Sequence, residues 1–364
     1  MIKVSHKFPR QPDNDFFKSL HKRVNAHFAG GKRSAYGDWQ LLVKTMCMIG
    51  LFLVPYFFIL SGAVQNTGLF LLLWTVMGLG VAGIGVNVMH DANHGAFSRH
   101  KTFNRIVSLV MNLMGGDAAI WRLQHNVLHH SFTNIHGADD DIIGPPMLRF
   151  SPHEPRKAIH RHQYVYAWFL YGLMTLIKVA YTDFKRAIRY RKMNLIKTRK
   201  EFVARLFKIA GGKLLYFGYM IALPIWLAPV SPWLVIVGFL LMHLVCGFVL
   251  SIIFQTAHVM PSSEYPLPDE NGTMENNWAV HQMLTTTNFS PKSRLFSWFI
   301  GGLNYQIEHH LFANISHVHY RDISRIVAET AREFGIPYHC QKSFGHALVN
   351  HGKMLYQLGR QPST

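Results

Sequence analysis

The sequence GLFLLLWTVMGLGVAGIGVNVMHDANH, residues 68–94, sets the fold class of this chain. Its first part, residues 68–89, is a run of about twenty apolar or small residues, which is the length of helix that crosses the hydrocarbon core of a bilayer. Two histidines, His90 and His94, follow this run directly. A membrane helix that ends on two possible metal ligands predicts an integral membrane protein with a metal site at the bilayer surface.

Three further apolar segments complete two predicted helical hairpins. Residues 41–62 come first and contain Lys44 as their only charged residue. A second pair lies at about 214–229 and 233–257, and a short turn that contains prolines joins its two members. We therefore expect an all-α membrane protein with four transmembrane helices in two hairpins.

The rest of the chain is expected to form interfacial helices and a cytosolic helical cap. Residues 90–213 and 258–364 supply this metal-binding cap, within a single domain that covers residues 1–364. Residues 164–181 are apolar enough for another crossing, but their aromatic ends and the basic stretch behind them favour a helix in the membrane interface, with a re-entrant helix as the alternative. Residues 103–114 are predicted to form a similar surface helix.

The net charge of +18 has a topological explanation. The chain has 37 Lys and Arg against 19 Asp and Glu, yet the connectors 63–67 and 230–232 contain no basic residue. All basic residues except Lys44 lie in the N-terminal, central and C-terminal segments. The positive-inside rule places these segments, both termini and the active site in the cytoplasm. A nucleic acid partner is therefore not expected, and the first membrane helix, rather than a cleavable signal, is expected to direct membrane insertion.

Three histidine boxes follow apolar runs: HDANH (90–94), HNVLHH (125–130) and QIEHH (306–310). On a helix, residues four apart share a face, so the spaced histidines of the first two boxes can each present two imidazoles to one side. Adjacent histidines point about 100° apart, so one pair can serve two ions. Seven imidazoles exceed one coordination sphere, and two ions are expected to share them. These seven are His90, His94, His125, His129, His130, His309 and His310.

Four other residues were considered as ligands. His281 is the first choice, because Asn277 precedes it by four residues and could add a weaker amide ligand. Gln306 stands three residues before His309, so its amide oxygen could coordinate a metal or hold a metal-bound water. His258 follows the fourth membrane helix and is interpreted as a hydrogen-bonded histidine at the interface.

Acidic residues near the boxes are candidates for orienting the imidazoles. Metal-bound histidines usually donate their second N–H to a carboxylate or carbonyl. Asp91 lies inside the first box, Asp139 and Asp141 follow the second, and Glu308 precedes the paired histidines of the third. Asp140 is expected to be an ordinary solvated acid.

The ligand types predict oxidation chemistry. Zinc hydrolysis needs three protein ligands, and the HExxH motif is absent from the sequence. Soluble di-iron bundles use paired carboxylates in Glu-x-x-His spacing, which is also absent. Iron with dioxygen is the kind of reagent that can attack an unactivated C–H bond of a lipid chain, and it is the favoured cofactor.

The three boxes, with GGLNYQIEHHLF around the third and HQMLTTTNF upstream of it, resemble those of integral-membrane fatty acid desaturases. The glutamine that opens the third box is similar to that of the front-end desaturases and their bacterial acyl-CoA or acyl-lipid relatives. The resemblance runs nearly end to end. It implies a four-helix membrane fold, a di-iron site and formation of a double bond in an acyl chain with O2 and two electrons. On matching positions it implies the catalytic ligands His90, His94, His125, His129, His130, His281, His309 and His310, with Gln306 as a ninth.

The resemblance leaves several points open. The HPGG signature of a fused haem carrier is absent, so a separate ferredoxin or cytochrome b5-type donor is implied. Ala313 stands where relatives often have proline. The substrate could be an acyl-CoA or an acyl-lipid. A hydroxylase or ketolase of the same superfamily is the nearest alternative, and a metal transporter is a distant one, because only His243 lies within a predicted span.

Overall fold

Helices form nearly all regular structure, because a backbone that lies in lipid must satisfy its hydrogen bonds within the same segment. The computed structural model describes residues 6–9, 16–30 and 34–363. The helices of this part are α1 (Phe16–Gly30), α2 (Trp39–Leu60), α3 (Thr67–His94), α4 (Lys101–Leu113), α5 (Ala118–Phe132), α6 (Ala158–Lys192), α7 (Arg199–Leu227), α8 (Pro232–His258), α9 (Trp278–Thr285), α10 (Arg294–Phe299), α11 (Gln306–Leu311), α12 (Tyr320–Glu333) and α13 (Phe344–Leu358). Two short strands, β1 (Asn288–Phe289) and β2 (Cys340–Gln341), pair in parallel. The prediction of an all-α membrane protein is confirmed.

Five described helices are long and apolar enough to cross a bilayer: α2, α3, α6, α7 and α8. Four of them overlap the predicted spans. Helices α2 and α7 each end two residues before the predicted limit, and α7 begins at Arg199, well before the predicted start at residue 214. Large apolar side chains such as Phe57, Leu214 and Trp233 are exposed on their outer faces, as expected for contact with lipid. The number of crossings stays a prediction, because α6 is a fifth candidate.

The two predicted hairpins meet at the end of the bundle that lies away from the histidines. Gly62 follows α2 with a positive φ of 71°, and a Cβ there would lie 3.0 Å from the Pro229 ring in the turn between α7 and α8. At the centre, Trp74 of α3 fills the space left by Gly238 of α8. Both α3 and α8 therefore run toward the histidine boxes, which places His94 and His258 at the same end of the bundle.

Helix α6 packs antiparallel to α8 through a close backbone contact. A Cβ on Gly247 would lie 2.3 Å from the carbonyl oxygen of Gly172, and the Thr175 hydroxyl donates to the carbonyl of His243 at 2.9 Å. Near the start of α6, the Gln163 amide donates to the backbone carbonyls of Arg149 and Leu355. Near its end, the Tyr190 hydroxyl donates to the Asp140 carboxylate. Both ends of α6 therefore touch the segments that surround the boxes.

The third box is fixed by the short sheet and the segment after α12. Asn288 of β1 accepts from the Ile307 N–H at 2.9 Å and donates to the Glu308 carboxylate at 2.8 Å. Tyr338 donates to the other carboxylate oxygen at 2.9 Å. Glu308 thus ties α11 to β1 and to the C-terminal part of the chain.

Candidate metal centre

A widened helical turn precedes the first histidine box, and another contains most of the second. Helix α3 forms a π-helical turn at Gly85–Met89, directly before the first box, and α5 forms one at Leu123–His129, within the second. Such turns often occur at functional sites. The spaced histidines still face each other as predicted, with ring centroids 4.7 Å apart in the first box and 5.2 Å apart in the second.

Helices α8 and α11 bring further imidazoles against these boxes. The His130 ring lies 4.5 Å from that of His309 and 4.4 Å from that of His310, measured between centroids. His258, the last residue of α8, lies 4.6 Å from His129 and 4.8 Å from His310 by the same measure. Four separate helices, α3, α5, α8 and α11, therefore bring imidazole rings into contact in one buried region.

The imidazoles form two clusters joined by His130. Within each cluster, one ligand nitrogen from every ring lies within 4.8 Å of the others. His130 makes a further group of this kind with His309 and His310, and so links the two. The first cluster is His90, His94, His125 and His309, and the second cluster is His129, His258 and His310.

Two aspartates hold the Nδ1 atoms of the second box. His129 Nδ1 lies 3.0 Å from both carboxylate oxygens of Asp139, and His125 Nδ1 lies 3.3 Å from Asp141. The Asp139 carboxylate is itself held by the backbone N–H groups of Asn134 and Asp141, at 2.9 and 2.8 Å. An acceptor at Nδ1 fixes the ring and leaves Nε2 free to bind a metal.

Gln282 performs the same task for His310 and was missed by the sequence analysis. Its Oε1 accepts from His310 Nδ1 and from the Thr133 hydroxyl, both at 2.8 Å. Its Nε2 donates to the carbonyl of His130 at 3.3 Å. The only sequence signal was its place next to His281 in HQMLTTTNF.

The clusters fit metal ions because they contain buried nitrogens that no other group satisfies. Both ring nitrogens of His90, and the Nε2 atoms of His94, His258 and His310, are buried without a hydrogen-bond partner among the described residues. Each such atom costs about 1–3 kcal/mol when left unpaired. Burial, followed by neighbouring imidazoles, lowers the pKa of His309 and of His310 well below the usual value. Both rings are thus neutral, which is the form that binds metals.

Comparison with known proteins gives the family of the chain. The family described as "Fatty acid desaturase" matches residues 66–342, which is more than half of the sequence. The chain belongs to the fatty acid desaturase family. It is 34% identical over 361 residues to the "Acyl-lipid (8-3)-desaturase" of Physcomitrium patens, covering 98% of this chain and 74% of that protein. It is 33% identical over 346 residues to the "sn-1 linoleoyl-lipid 6-desaturase" of Synechocystis sp., covering 95% and 96%.

The desaturase geometry differs from the sequence-based ligand set at two positions. His281 lies outside both clusters, and its Nε2 donates to the carbonyl of Thr133 at 2.8 Å. Burial lowers the pKa of His281 to about 4, so this ring is neutral and bonded within the cap. His258 was interpreted as a hydrogen-bonded interfacial residue, but it lies in the second cluster with Nε2 unpaired, while its Nδ1 lies 3.4 Å from the Thr285 carbonyl.

The two candidate amide ligands have different environments. The side-chain amide oxygen of Asn277, Oδ1, accepts from the Val280 N–H at 3.1 Å and so caps α9. Gln306 is buried, and its Nε2 has no hydrogen-bond partner among the described residues. Coordination by Gln306 stays a prediction.

The other acids of the desaturase near the boxes are also buried. Asp91 accepts from the Ser316 hydroxyl at 2.7 Å and from the backbone N–H of His317 at 3.2 Å, and its other oxygen lies 3.9 Å from His90 Nδ1. The expectation that Asp140 is a solvated acid is wrong. Asp140 is buried, accepts from the Tyr190 hydroxyl, and lies 2.9 Å from an Arg189 guanidinium nitrogen.

Histidines outside the boxes have structural partners. His317, His319 and His351 have no shared spacing with the boxes, and all three are buried. His317 Nε2, for example, lies 2.9 Å from the Lys44 ammonium, which connects α2 with the segment after the third box. His243 Nε2 lies 2.8 Å from the Tyr216 hydroxyl, so this histidine is hydrogen-bonded within the helix bundle.

Two aromatic side chains form a wall of the first cluster. The Trp121 ring lies 4.4 Å from His125 and 5.8 Å from both His90 and His94, measured between centroids. Phe254 lies 6.4 Å from His125. Trp121 therefore packs against the first cluster, and this wall provides an apolar surface beside its imidazoles.

Proposed function

We propose that this desaturase uses a pair of iron ions to introduce a double bond into the acyl chain of a membrane lipid. The observation that carries the proposal is the pair of buried imidazole clusters, which His130 links through His309 and His310 and which contain ring nitrogens without a hydrogen-bond partner among the described residues. A His-rich set of this size suits two redox-active ions better than one hydrolytic zinc. The chain is proposed to act as one domain, residues 1–364, with the cap of residues 90–213 and 258–364 around the centre.

The proposed ligands are eight histidines, with His258 in the place first given to His281. Each cluster would hold one ion, and His130 would lie between them. The proposed set is His90, His94, His125, His129, His130, His258, His309 and His310, with Gln306 as an additional candidate.

The reaction removes two hydrogens from adjacent carbons and reduces O2 to two water molecules, with two electrons and two protons supplied from outside. When bound, the iron pair would supply the oxidising power that an unactivated C–H bond requires. The side chains of the protein orient the imidazoles and the substrate. Asp139, Asp141 and Gln282 hold the imidazoles in orientation, while Trp121 and Phe254 exclude water and guide the chain.

The names of the relatives favour a lipid-linked substrate. Two of the most similar ones are an acyl-lipid (8-3)-desaturase and an sn-1 linoleoyl-lipid 6-desaturase. We therefore propose an acyl-lipid rather than an acyl-CoA as the substrate of this chain. The same names favour desaturation over hydroxylation or ketolation.

The proposal is tested by expression in a host that lacks polyunsaturated lipids, with metal analysis of the purified protein. We expect about two irons per chain and lipids that are two hydrogens lighter at the new double bond. Lipids that gain oxygen would support the hydroxylase instead. A protein with a full metal site and a working electron donor that yields neither product would contradict the proposal.

The electrons are proposed to come from a separate acidic carrier, a ferredoxin or a cytochrome b5-type protein, on the cytoplasmic side. The basic end of α6 supports this choice, because Arg186 donates to the Gln124 amide oxygen and Gln124 donates to Asp141. Asp141 in turn is hydrogen-bonded to His125, so a short chain of hydrogen bonds connects the basic surface to the first cluster. The excess of basic residues in the segments around the centre supports the cytoplasmic placement.

Replacing Lys185 and Lys192 with glutamine is expected to slow turnover with a protein donor at low salt, on the order of tenfold, because both side chains are exposed on this basic end. The difference should shrink as salt is raised. The fall should be larger with the protein donor than with a small chemical reductant, and Lys292→Gln, an exposed lysine elsewhere, is the matched control. An equal fall with both reductants would contradict docking at this surface.

A further inference from the structure

A cavity of about 480 Å³ opens beside the first cluster. Its wall is built from the end of α3, the start of α4, part of α5 and Tyr36. His94 is one of the lining residues and also belongs to the first cluster. Whatever binds in this cavity therefore lies next to the proposed metal centre.

The cavity is strongly basic. Four cationic side chains line it, and no acidic residue does so in the part of the chain that the structure describes. Arg122 is oriented by the Asn93 amide oxygen at 2.9 Å and the Ser108 hydroxyl at 3.3 Å. None of the four has a salt bridge to a described residue, and Asp117, the one acid that acts electrostatically on Arg122, forms its salt bridge with Arg205. They are Arg99, Lys101, Arg105 and Arg122.

Helix α4 places this cavity at the surface of the bilayer. Its apolar side chains Phe103, Ile106, Leu109 and Leu113 are exposed, between 47% and 60% of their full area. A helix with one exposed apolar face and basic residues beside it lies in the interface, with its cations at the level of the headgroups. Because Lys101 and Arg105 belong to α4, the cavity opens where lipid phosphates lie.

We propose that this cavity binds the phosphate ester of the acyl substrate. The inference rests on the proposed function and deepens it, because it names the group by which the substrate is held. Arginine forks recognise phosphate with paired, charge-assisted hydrogen bonds, and Arg105 and Arg122 are available for them. With the proposed acyl-lipid substrate, the phosphate is that of a phospholipid headgroup, and the phosphates of coenzyme A are the alternative source that the test distinguishes. Since His94 lines the cavity, the acyl carbons nearest the carboxyl end reach the metal centre first.

The test compares three substrates with the same acyl chain: a phosphatidylglycerol, a glycosyl diacylglycerol without phosphate, and an acyl-CoA. Purified, iron-loaded protein is assayed in nanodiscs with a chemical reductant, and retention of the phosphatidylglycerol is measured independently by native mass spectrometry. For Arg105→Gln we expect KM for a phosphate-bearing substrate to rise about tenfold, as the loss of a charged hydrogen bond implies. The rise should be several-fold smaller for the glycosyl lipid, with iron content unchanged.

Arg105 is suited to this test because its side chain is exposed and makes no hydrogen bond to a described residue, so its loss does not disturb the fold. Arg105→Lys should restore part of the affinity, and Arg332→Gln, an exposed arginine on α12, is the matched control. A higher KM of Arg105→Gln for phosphatidylglycerol supports a headgroup site. A higher KM for acyl-CoA alone supports a coenzyme A site. An equal rise with all three substrates, or none, overturns the phosphate assignment.

The outcomes separate this inference from the proposed function. If the wild-type protein desaturates no substrate but still retains phosphatidylglycerol in a manner that depends on Arg105, the site stands and the proposed reaction fails. If the protein desaturates lipids but retention is the same for Arg105→Gln, the reaction stands and the site is overturned.

Discussion

Replacing His258 with alanine is expected to lower desaturase turnover by more than ~100-fold and to reduce the iron content toward one ion per chain. The second cluster has only three imidazoles besides the shared His130, and loss of one leaves His129 and His310 to hold the ion. Removing even an indirect support of a metal ligand costs about 10–100-fold in affinity or activity, so loss of a ligand should exceed that range. Iron analysis and product assay of the purified variant measure both effects.

His281→Ala is the matched control for this prediction, since both histidines are buried. Its loss removes a hydrogen bond to the Thr133 carbonyl, which costs about 1–3 kcal/mol of stability. The variant should keep about two irons. If His281→Ala loses iron and His258→Ala keeps it, the original assignment of His281 as a ligand is restored and the proposed set is overturned.

Asp139→Asn is expected to lower iron affinity or turnover by about 10–100-fold. Asp139 is fully buried, and both of its oxygens lie 3.0 Å from His129 Nδ1. An asparagine keeps the shape but presents an N–H where the imidazole donates, so the ring would turn or change its protonation. Iron binding should be measured by competition with a chelator, because that readout reports affinity without turnover.

Asp140→Asn is the control from the same run of three aspartates. Asp140 is buried to a similar degree, but it contacts Tyr190 and Arg189 and no histidine. This variant should unfold more easily, because Arg189 loses its charged partner, yet retain normal iron affinity. Equal losses of iron in the two variants would show that the Asp139 effect comes from general destabilisation rather than from His129.

The sequence predicted the parts of the fold and site that depend on local pattern. Apolar runs of bilayer length gave four of the five long apolar helices, and histidines four residues apart in the first box do face each other. The seven histidines of the boxes all lie in the two clusters or between them. These features are predictable because helix geometry fixes side-chain directions over a few residues.

The features that the sequence does not show depend on contacts between distant segments. His281 shares helical spacing with Asn277, but Asn277 caps α9 and His281 bonds to a carbonyl 148 residues away. His258 has no motif around it, and it reaches the second cluster because α8 ends at that depth beside α5. The burial of Asp140 is not predictable because the sequence gives no sign that the end of α6 covers it.

The membrane placement of helix α6 also depends on a contact between distant segments. Its composition fits an interfacial, re-entrant or spanning helix, and its path follows from Gly172 and Gly247, which let two backbones approach closely. Small residues at such contacts are common between membrane helices, but a single sequence does not show which pair will meet.

The spread of the ligands along the chain has a consequence for biosynthesis. His94 and His310 meet in one centre, although His310 is synthesised 216 residues after His94. At about 5–20 residues per second, the ribosome needs roughly 10–40 s to make the second after the first. If the clusters hold iron as proposed, the early helices are in the membrane before the coordination sphere is complete, and iron loading is a late step. A cell short of iron is then expected to accumulate inserted but inactive chains that are open to quality control.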